Sequence, residues 1–174
     1  MIGLLIRTQF ALTSQRSATR SIQMETERTL SCIHELGDDD AQKSVDVGKM
    51  IGVDEDMRRW TPYQTLEHNT IVNRVIQEVV TTLARGEVYV SDFDPKTDVL
   101  PGAAPNVEMI SAFRSSVDDY LQAVGRCKQL RGTPRYPHPL FGRFNAHQWH
   151  CMFGFHLRIH RRQLKRGIQR LRDS

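Results

Sequence analysis

Two histidines one helical turn apart are the residues of this chain best suited to chemistry. His156 and His160 are followed by no proline or glycine until Gly167. Side chains four residues apart lie on the same face of a helix, so both imidazoles can turn toward one cation. Neutral imidazole suits zinc, nickel, copper or iron. The spacing therefore indicates a metal site.

A third ligand would complete the site, and His68 is the best candidate. In a predicted helix His68 shares a face with Val72, Val75, Val79 and Leu83. Three imidazoles would leave open positions for water or substrate. Gln64, one turn before His68, and Gln163, three residues after His160, could orient a bound group. Since no glutamate follows His156, no zincin-type protease mechanism is predicted.

A structural alternative stays open, because an inward histidine is more often a core residue with a hydrogen-bonded ring than a metal ligand. His147 and His150 form a rival pair at the start of the same predicted helix. The positive end of the helix dipole disfavours a cation there. We expect these two at the surface and outside the site. His34 and His138 have no partner visible in the sequence.

Length and composition favour a single domain over residues 1–174. The chain is 39% hydrophobic and 25% charged, with no apolar run long enough to cross a membrane. Its three cysteines are widely separated and form no CxxC pair. They fit a reducing, cytoplasmic compartment. The segment before Glu25 contains no acidic residue, as in a transit peptide, but we expect a strand or helix there.

Apolar periodicity predicts four helices over about 14–36, 61–85, 106–130 and from Asn145 onward. Thr61-Pro62-Tyr63-Gln64 is a capping box with a proline at the first helical position, and Asn145 has Gln148 three residues later. Between the helices we expect loops, with one short helix over 41–59, a possible short strand at 88–90 and an aromatic loop over 132–145 that packs on the helices. The expected fold is all-α, a four-helix bundle with long connecting loops.

Three segments of the sequence resemble motifs of a known family. Trp60-Thr61-Pro62-Tyr63-Gln64-Thr65-Leu66-Glu67-His68 is similar to the Trp-x-x-x-x-x-Leu-x-His entry to the second helix of DinB-like (YfiT-like) metal-binding bundles. His156-x-x-x-His160-x-x-Gln163 resembles their last-helix pattern. His138-Pro139-Leu140-Phe141-Gly142 looks like the His-Pro-Phe-Phe-Gly segment of one uncharacterised branch.

The resemblance runs in order from Arg59 to Gln169 and implies a bundle, a homodimer and a divalent metal such as zinc, nickel or iron. The implied ligands are His68, His156 and His160. The segment before Gly52 matches only as a generic first helix, and Arg161 stands where relatives commonly carry a further histidine.

Three functions follow as expectations. DinB-like relatives include metal-dependent thiol-S-transferases, a thiol-dependent maleylpyruvate isomerase and proteins that resemble hydrolases. The first expected function is therefore a transferase that joins a low-molecular-weight thiol to a small electrophile, or a hydrolase. Basic residues of the last helix, around Arg158, Arg161 and Arg162, would hold an anionic cosubstrate. The second is a non-catalytic, stress-associated metal-binding bundle. The third, nucleic-acid binding, is not expected, because a charged outer face is normal for such a helix and interleaved aromatics are missing.

Overall fold

The chain is mostly helical, in agreement with the all-α prediction, in a computed structural model that describes residues 2–173. The helices are α1 Ile2–Leu12, α2 Gln15–His34, the short α3 Asp38–Ala41, α4 Pro62–Ala84, α5 Glu108–Gly125 and α6 Ala146–Arg172. A 3-10 turn covers Asp56–Arg59, and a two-stranded hairpin joins β1 Tyr136–His138 to β2 Gly142–Phe144. Within residues 2–173 no helix is long and apolar enough to cross a membrane.

Both predicted capping boxes form, and they fix where the site-bearing helices begin. The Thr61 hydroxyl accepts a hydrogen bond from the Gln64 backbone amide at 3.1 Å, and the Gln64 side-chain oxygen accepts one from the Thr61 backbone amide at 3.0 Å. Asn145 and Gln148 make the same reciprocal pair at the start of α6. These bonds satisfy amides that a helix start leaves unpaired.

The four long helices run in two directions. The side chain of Thr19 contacts His150 at 3.0 Å, and Arg172 pairs with Glu35, so α2 and α6 run the same way. The Gln163 side chain reaches Met57, just before α4, while His68 meets His156 earlier along α6. Helix α4 therefore runs against α6, which brings the start of α4 beside the middle of α6.

The helices share one apolar core. Ile22 of α2, Leu66 of α4, Phe113 of α5 and Phe153 of α6 are all 0% exposed. Complete burial of such a side chain is worth about 1.5–3 kcal/mol before the entropy of ordering is counted. This core holds α4 and α6 in contact and so sets the distance between the histidines that they carry.

Several boundaries differ from the sequence prediction. Helix α5 ends at Gly125 rather than near Leu130, because glycine is a poor helix former and Leu130 instead folds back into the core. The 88–90 segment is not a strand. The predicted aromatic loop does pack on the helices, but part of it forms the β1–β2 hairpin, whose Phe144 is buried beside Trp149.

Candidate metal centre

Three imidazoles converge where the start of α4 meets the middle of α6. His68, His156 and His160 each offer a ring nitrogen, and these nitrogens all lie within 4.8 Å of one another. Nε2 of His68 is 3.2 Å from Nε2 of His156. Two nitrogens bound to a tetrahedral zinc at its usual bond length lie about 3.3 Å apart. The three histidines are therefore close enough to bind one metal ion.

Two of the rings are oriented by hydrogen bonds on their far side. Nδ1 of His68 lies 2.8 Å from the Val99 carbonyl oxygen, which can only accept, so this nitrogen carries the proton. Nδ1 of His160 donates to the Gln163 side-chain oxygen at 2.8 Å, while the amide of Gln163 donates to the Met57 carbonyl at 2.7 Å. Each bond fixes a tautomer whose Nε2 keeps a free lone pair, as metal-binding histidines require.

His156 differs from the other two because the residue keeps some exposed surface and its ring lacks such a partner. Its Nδ1 is buried and makes no hydrogen bond to any residue that the structure describes. Buried polar atoms are nearly always paired. The other ring nitrogen, Nε2, is the one that faces the Nε2 lone pair of His68, and a cation bound between them would be a partner for both atoms.

Burial keeps all three imidazoles neutral. It lowers the pKa of His68 below its usual range, and it lowers the pKa of His160 to about 3. The pKa of His156 falls well below the ordinary value, first because of burial and then because His160 and His68 lie beside it. A charged ring would lose its hydration there. Since a metal needs the unprotonated nitrogen, protons compete weakly for this site near neutral pH.

The segment before α4 covers the imidazoles. The Trp60 ring lies 4.8 Å from that of His68 and stacks near that of His160 at 6.5 Å. Gly52 has φ +80, and a Cβ there would sit 2.9 Å from the Ile159 side chain. This glycine lets the loop approach α6 one residue before His160. Of the three histidines, His156 is the one that keeps some exposed surface, whereas His68 and His160 are each 2% exposed.

The two glutamines proposed for orientation have different roles. Gln163 holds the His160 ring, as described above, rather than a bound group. Both polar groups of the Gln64 side chain are engaged, by the Thr61 amide and by the Gly102 carbonyl at 3.1 Å. Glu67 accepts a hydrogen bond from the Gly102 amide at 2.8 Å. Gln64 and Glu67 thus fasten the α4–α5 connection to α4.

The expectation that His147 and His150 lie at the surface is wrong. They are 1% and 0% exposed, because α1, which the sequence did not predict as a separate helix, covers His147, while α2 and α5 enclose His150. Nε2 of His147 lies 2.9 Å from the Thr13 carbonyl and so fastens the end of α1. His150 sits between the Tyr120 hydroxyl at 2.8 Å and the Thr19 hydroxyl at 3.0 Å. Neither belongs to the three-histidine cluster.

His138 is a neighbour of the site that the sequence did not reveal. The hairpin carries it to the aromatic cluster, where its ring stacks on Phe141 at 4.8 Å, and burial lowers its pKa to about 4. It also contributes to the lowered pKa of His156. The only signal in the sequence was its place in the motif before the last helix.

The basic residues of α6 do not face the imidazoles. Arg158 and Arg161 both pair with Glu25 of α2, at 3.6 and 2.5 Å. A residue two positions along a helix points about 200° away, so Arg158 and His156 lie on nearly opposite sides of α6. These arginines are therefore badly placed to hold the anionic part of a molecule at the three histidines.

The chain was compared with models of protein families, with curated proteins and with solved structures, and it matches none of them.

Proposed function

We propose that this protein is a DinB-like four-helix bundle that holds one divalent transition metal (zinc, nickel or iron) through His68, His156 and His160. We further propose that it is a metal-dependent thiol-S-transferase acting on small electrophiles. The observation that carries the proposal is the convergence of three neutral imidazoles, two of them fixed in the ligand tautomer by hydrogen bonds. The similarity to DinB-like motifs is the reason to propose a thiol-S-transferase among the possible metal-dependent activities.

The residues of the chain fit the demands of such a metal. Neutral imidazoles leave the full charge of the ion uncompensated, and no carboxylate belongs to the cluster within residues 2–173. A metal held in this way would supply Lewis-acid chemistry that lowers the pKa of a small thiol or of water. Val99 and Gln163 would keep the ligand rings in place while His156 marks the accessible side.

A thiol suits this site better than water does. No aspartate or glutamate side chain joins the cluster in the described residues to serve as a general base. A thiol ionises near pH 8.5, whereas water needs far more help. The Trp60 ring beside His68 and His160 adds an apolar wall, and Arg158 points to the other side of α6. We therefore expect small electrophiles without a strongly anionic group.

The test is thiol turnover by the full chain. Protein loaded with zinc, nickel or iron is compared with chelator-treated protein and with His156→Ala, using several low-molecular-weight thiols and an uncharged electrophile. Arg74→Ala, an exposed change on α4, is the control. The proposal expects thiol consumption only in the loaded wild type and the control. Equal rates in all samples contradict it. Metal-dependent hydrolysis without a thiol would support the hydrolase, and bound metal without turnover the non-catalytic bundle.

A further inference from the structure

A basic groove runs between α2 and α6, away from the three histidines. Two adjoining cavities of about 400 and 660 Å³ share Arg28 and Arg161 in their walls. Seven basic and three acidic side chains line the pair, a surplus of four positive charges. This surplus equals the formal net charge of the whole chain, +4. The rest of the protein is thus balanced, and its excess charge is concentrated in one groove.

A buried carboxylate, Glu25, lies in the wall of the 400 Å³ cavity, which we call the upper cavity. Glu25 is only 4% exposed and pairs with Arg161 at 2.5 Å, with Arg28 at 3.5 Å and with Arg158 at 3.6 Å. One negative charge cannot neutralise three guanidinium groups, and it holds most firmly Arg161, the least exposed of them. Arginine side chains that are already ordered lose less entropy when they bind an anion.

Two further arginines of the upper cavity are available. Arg20 and Arg162 are exposed and make no hydrogen bond or ion pair with the residues that the structure describes. Arg20 and Arg28 lie eight residues apart on α2, which is about 12 Å along a helix. The basic groups are therefore spread along the groove, which suits a ligand with more than one phosphate group better than a single orthophosphate.

The lining also indicates the kind of anion. All five basic residues of the upper cavity are arginines, and the hydroxyls of Ser17 and Ser21 lie among them. The planar guanidinium fork matches phosphate oxygens in pairs. No aromatic ring lines either cavity, so the stacking platform of a single-strand binder is missing. The concave shape favours a small molecule over a flat membrane surface.

We propose that the groove over Glu25 binds a small molecule that carries two or more phosphate groups. Arg20 and Arg162 supply free guanidinium groups, and Glu25 keeps Arg158 and Arg161 in position. The site is separate from the three histidines, because α6 lies between them. It does not depend on the function proposed for those histidines.

Titration calorimetry with inorganic pyrophosphate at fixed ionic strength tests the proposal. The double variant Arg20→Ala, Arg162→Ala removes two exposed charges without touching the pairs of Glu25. The matched control is Arg74→Ala, Arg126→Ala, which removes two exposed arginines from α4 and from the end of α5. We expect pyrophosphate to bind the wild type and the control equally, and the groove variant at least about tenfold more weakly.

Three further arms make the result decisive. His156→Ala should bind pyrophosphate as the wild type does, because pyrophosphate in the groove does not contact a metal at the three histidines. Orthophosphate should bind more weakly than pyrophosphate. Absence of wild-type binding, equal loss in the control, or loss in His156→Ala overturns the proposal. A DNA duplex that binds in the groove and is not displaced by pyrophosphate overturns it in favour of a nucleic-acid surface.

Discussion

Nε2 of His68 lies 3.2 Å from Nε2 of His156, although the two residues are 88 positions apart in the chain. The Val99 carbonyl accepts a hydrogen bond from the Nδ1–H of the neutral His68 ring, so Nε2 of His68 presents a lone pair to His156. Two neutral imidazoles in this arrangement share either a proton or a cation. The approach of His160 to the same point favours the cation.

Metal content is the first prediction. Purified wild-type protein should carry close to one divalent transition metal per chain, and His68→Ala and His160→Ala should lose most of it, because each removes one of three donors. Elemental analysis measures this directly. His150→Gln is the matched control, a buried histidine of α6 outside the cluster, and it should keep the metal. Full retention of metal in both ligand variants would rule out the site.

Substitutions of Gln163 and Gln64 should differ in their effect on metal affinity. Gln163→Leu removes the acceptor that orients His160, and metal affinity should fall about 10- to 100-fold. Gln64→Ala removes one bond of the capping box and the bond to the Gly102 carbonyl, neither of which contacts a ligand ring, and Glu67 still holds Gly102. It should leave metal affinity unchanged while lowering the free energy of unfolding by about 0.5–1 kcal/mol. Competition with a chelating dye gives the affinities, and equal values for both variants would refute the role of Gln163.

Acid should destabilise the metal-free protein through its buried neutral histidines. Burial lowers the pKa of His150 to about 4, against about 6.5 in the unfolded chain. Between these values the unfolded state binds a proton that the folded state does not. The free energy of unfolding therefore falls as pH falls, by about 1.4 kcal/mol per pH unit for this residue.

The variant His150→Gln isolates that contribution, because an amide does not titrate. Urea unfolding of chelator-treated protein between pH 7 and pH 4 should show a shallower loss of stability in the variant. Above pH 6.5 the two curves should run parallel. An unchanged slope below pH 6.5 would mean that His150 is protonated in the folded state.

Glu25→Gln should destabilise the contact between α2 and α6. The change leaves Arg161, whose side chain is 16% exposed, without its carboxylate. Breaking a fully buried ion pair lowers the free energy of unfolding by about 3–5 kcal/mol. Because Arg28 and Arg158 remain partly hydrated, we expect a smaller loss of about 1–3 kcal/mol. Chemical denaturation measures it. In Arg161→Met protein the same change should cost less, and an equal cost would show that the pair is not coupled.

The sequence predicted well the starts of α4 and α6 and the i, i+4 histidine pair of the cluster, because these depend on local patterns. A capping box is complete within four residues, and the i, i+4 pair needs only one helix. His68 was placed on the buried face of α4 by periodicity alone. Its contact with His156 of α6 depends on how the two helices pack, which periodicity does not show.

The environment of the site was harder to predict, because it depends on contacts between distant segments. Nothing near Val99 indicates that its carbonyl faces His68. The burial of His147 depends on α1, whose exposed leucines carry no clear apolar stripe. The partner of Arg161 is a glutamate 136 positions away. Sequence periodicity shows which face of a helix is polar, but not which residue that face meets.

The hydrogen bond from His68 to Val99 orients the histidine, and it also anchors the segment that carries Val99. Val99 belongs to the long, largely exposed connection between α4 and α5, and it is one of the few points where that connection is buried. An imidazole that a metal holds still is a firmer anchor for this segment than a free one. Cleavage by a protease added in trace amounts should therefore slow in the connection as the site fills, so that a surface loop reports the occupancy of a buried centre.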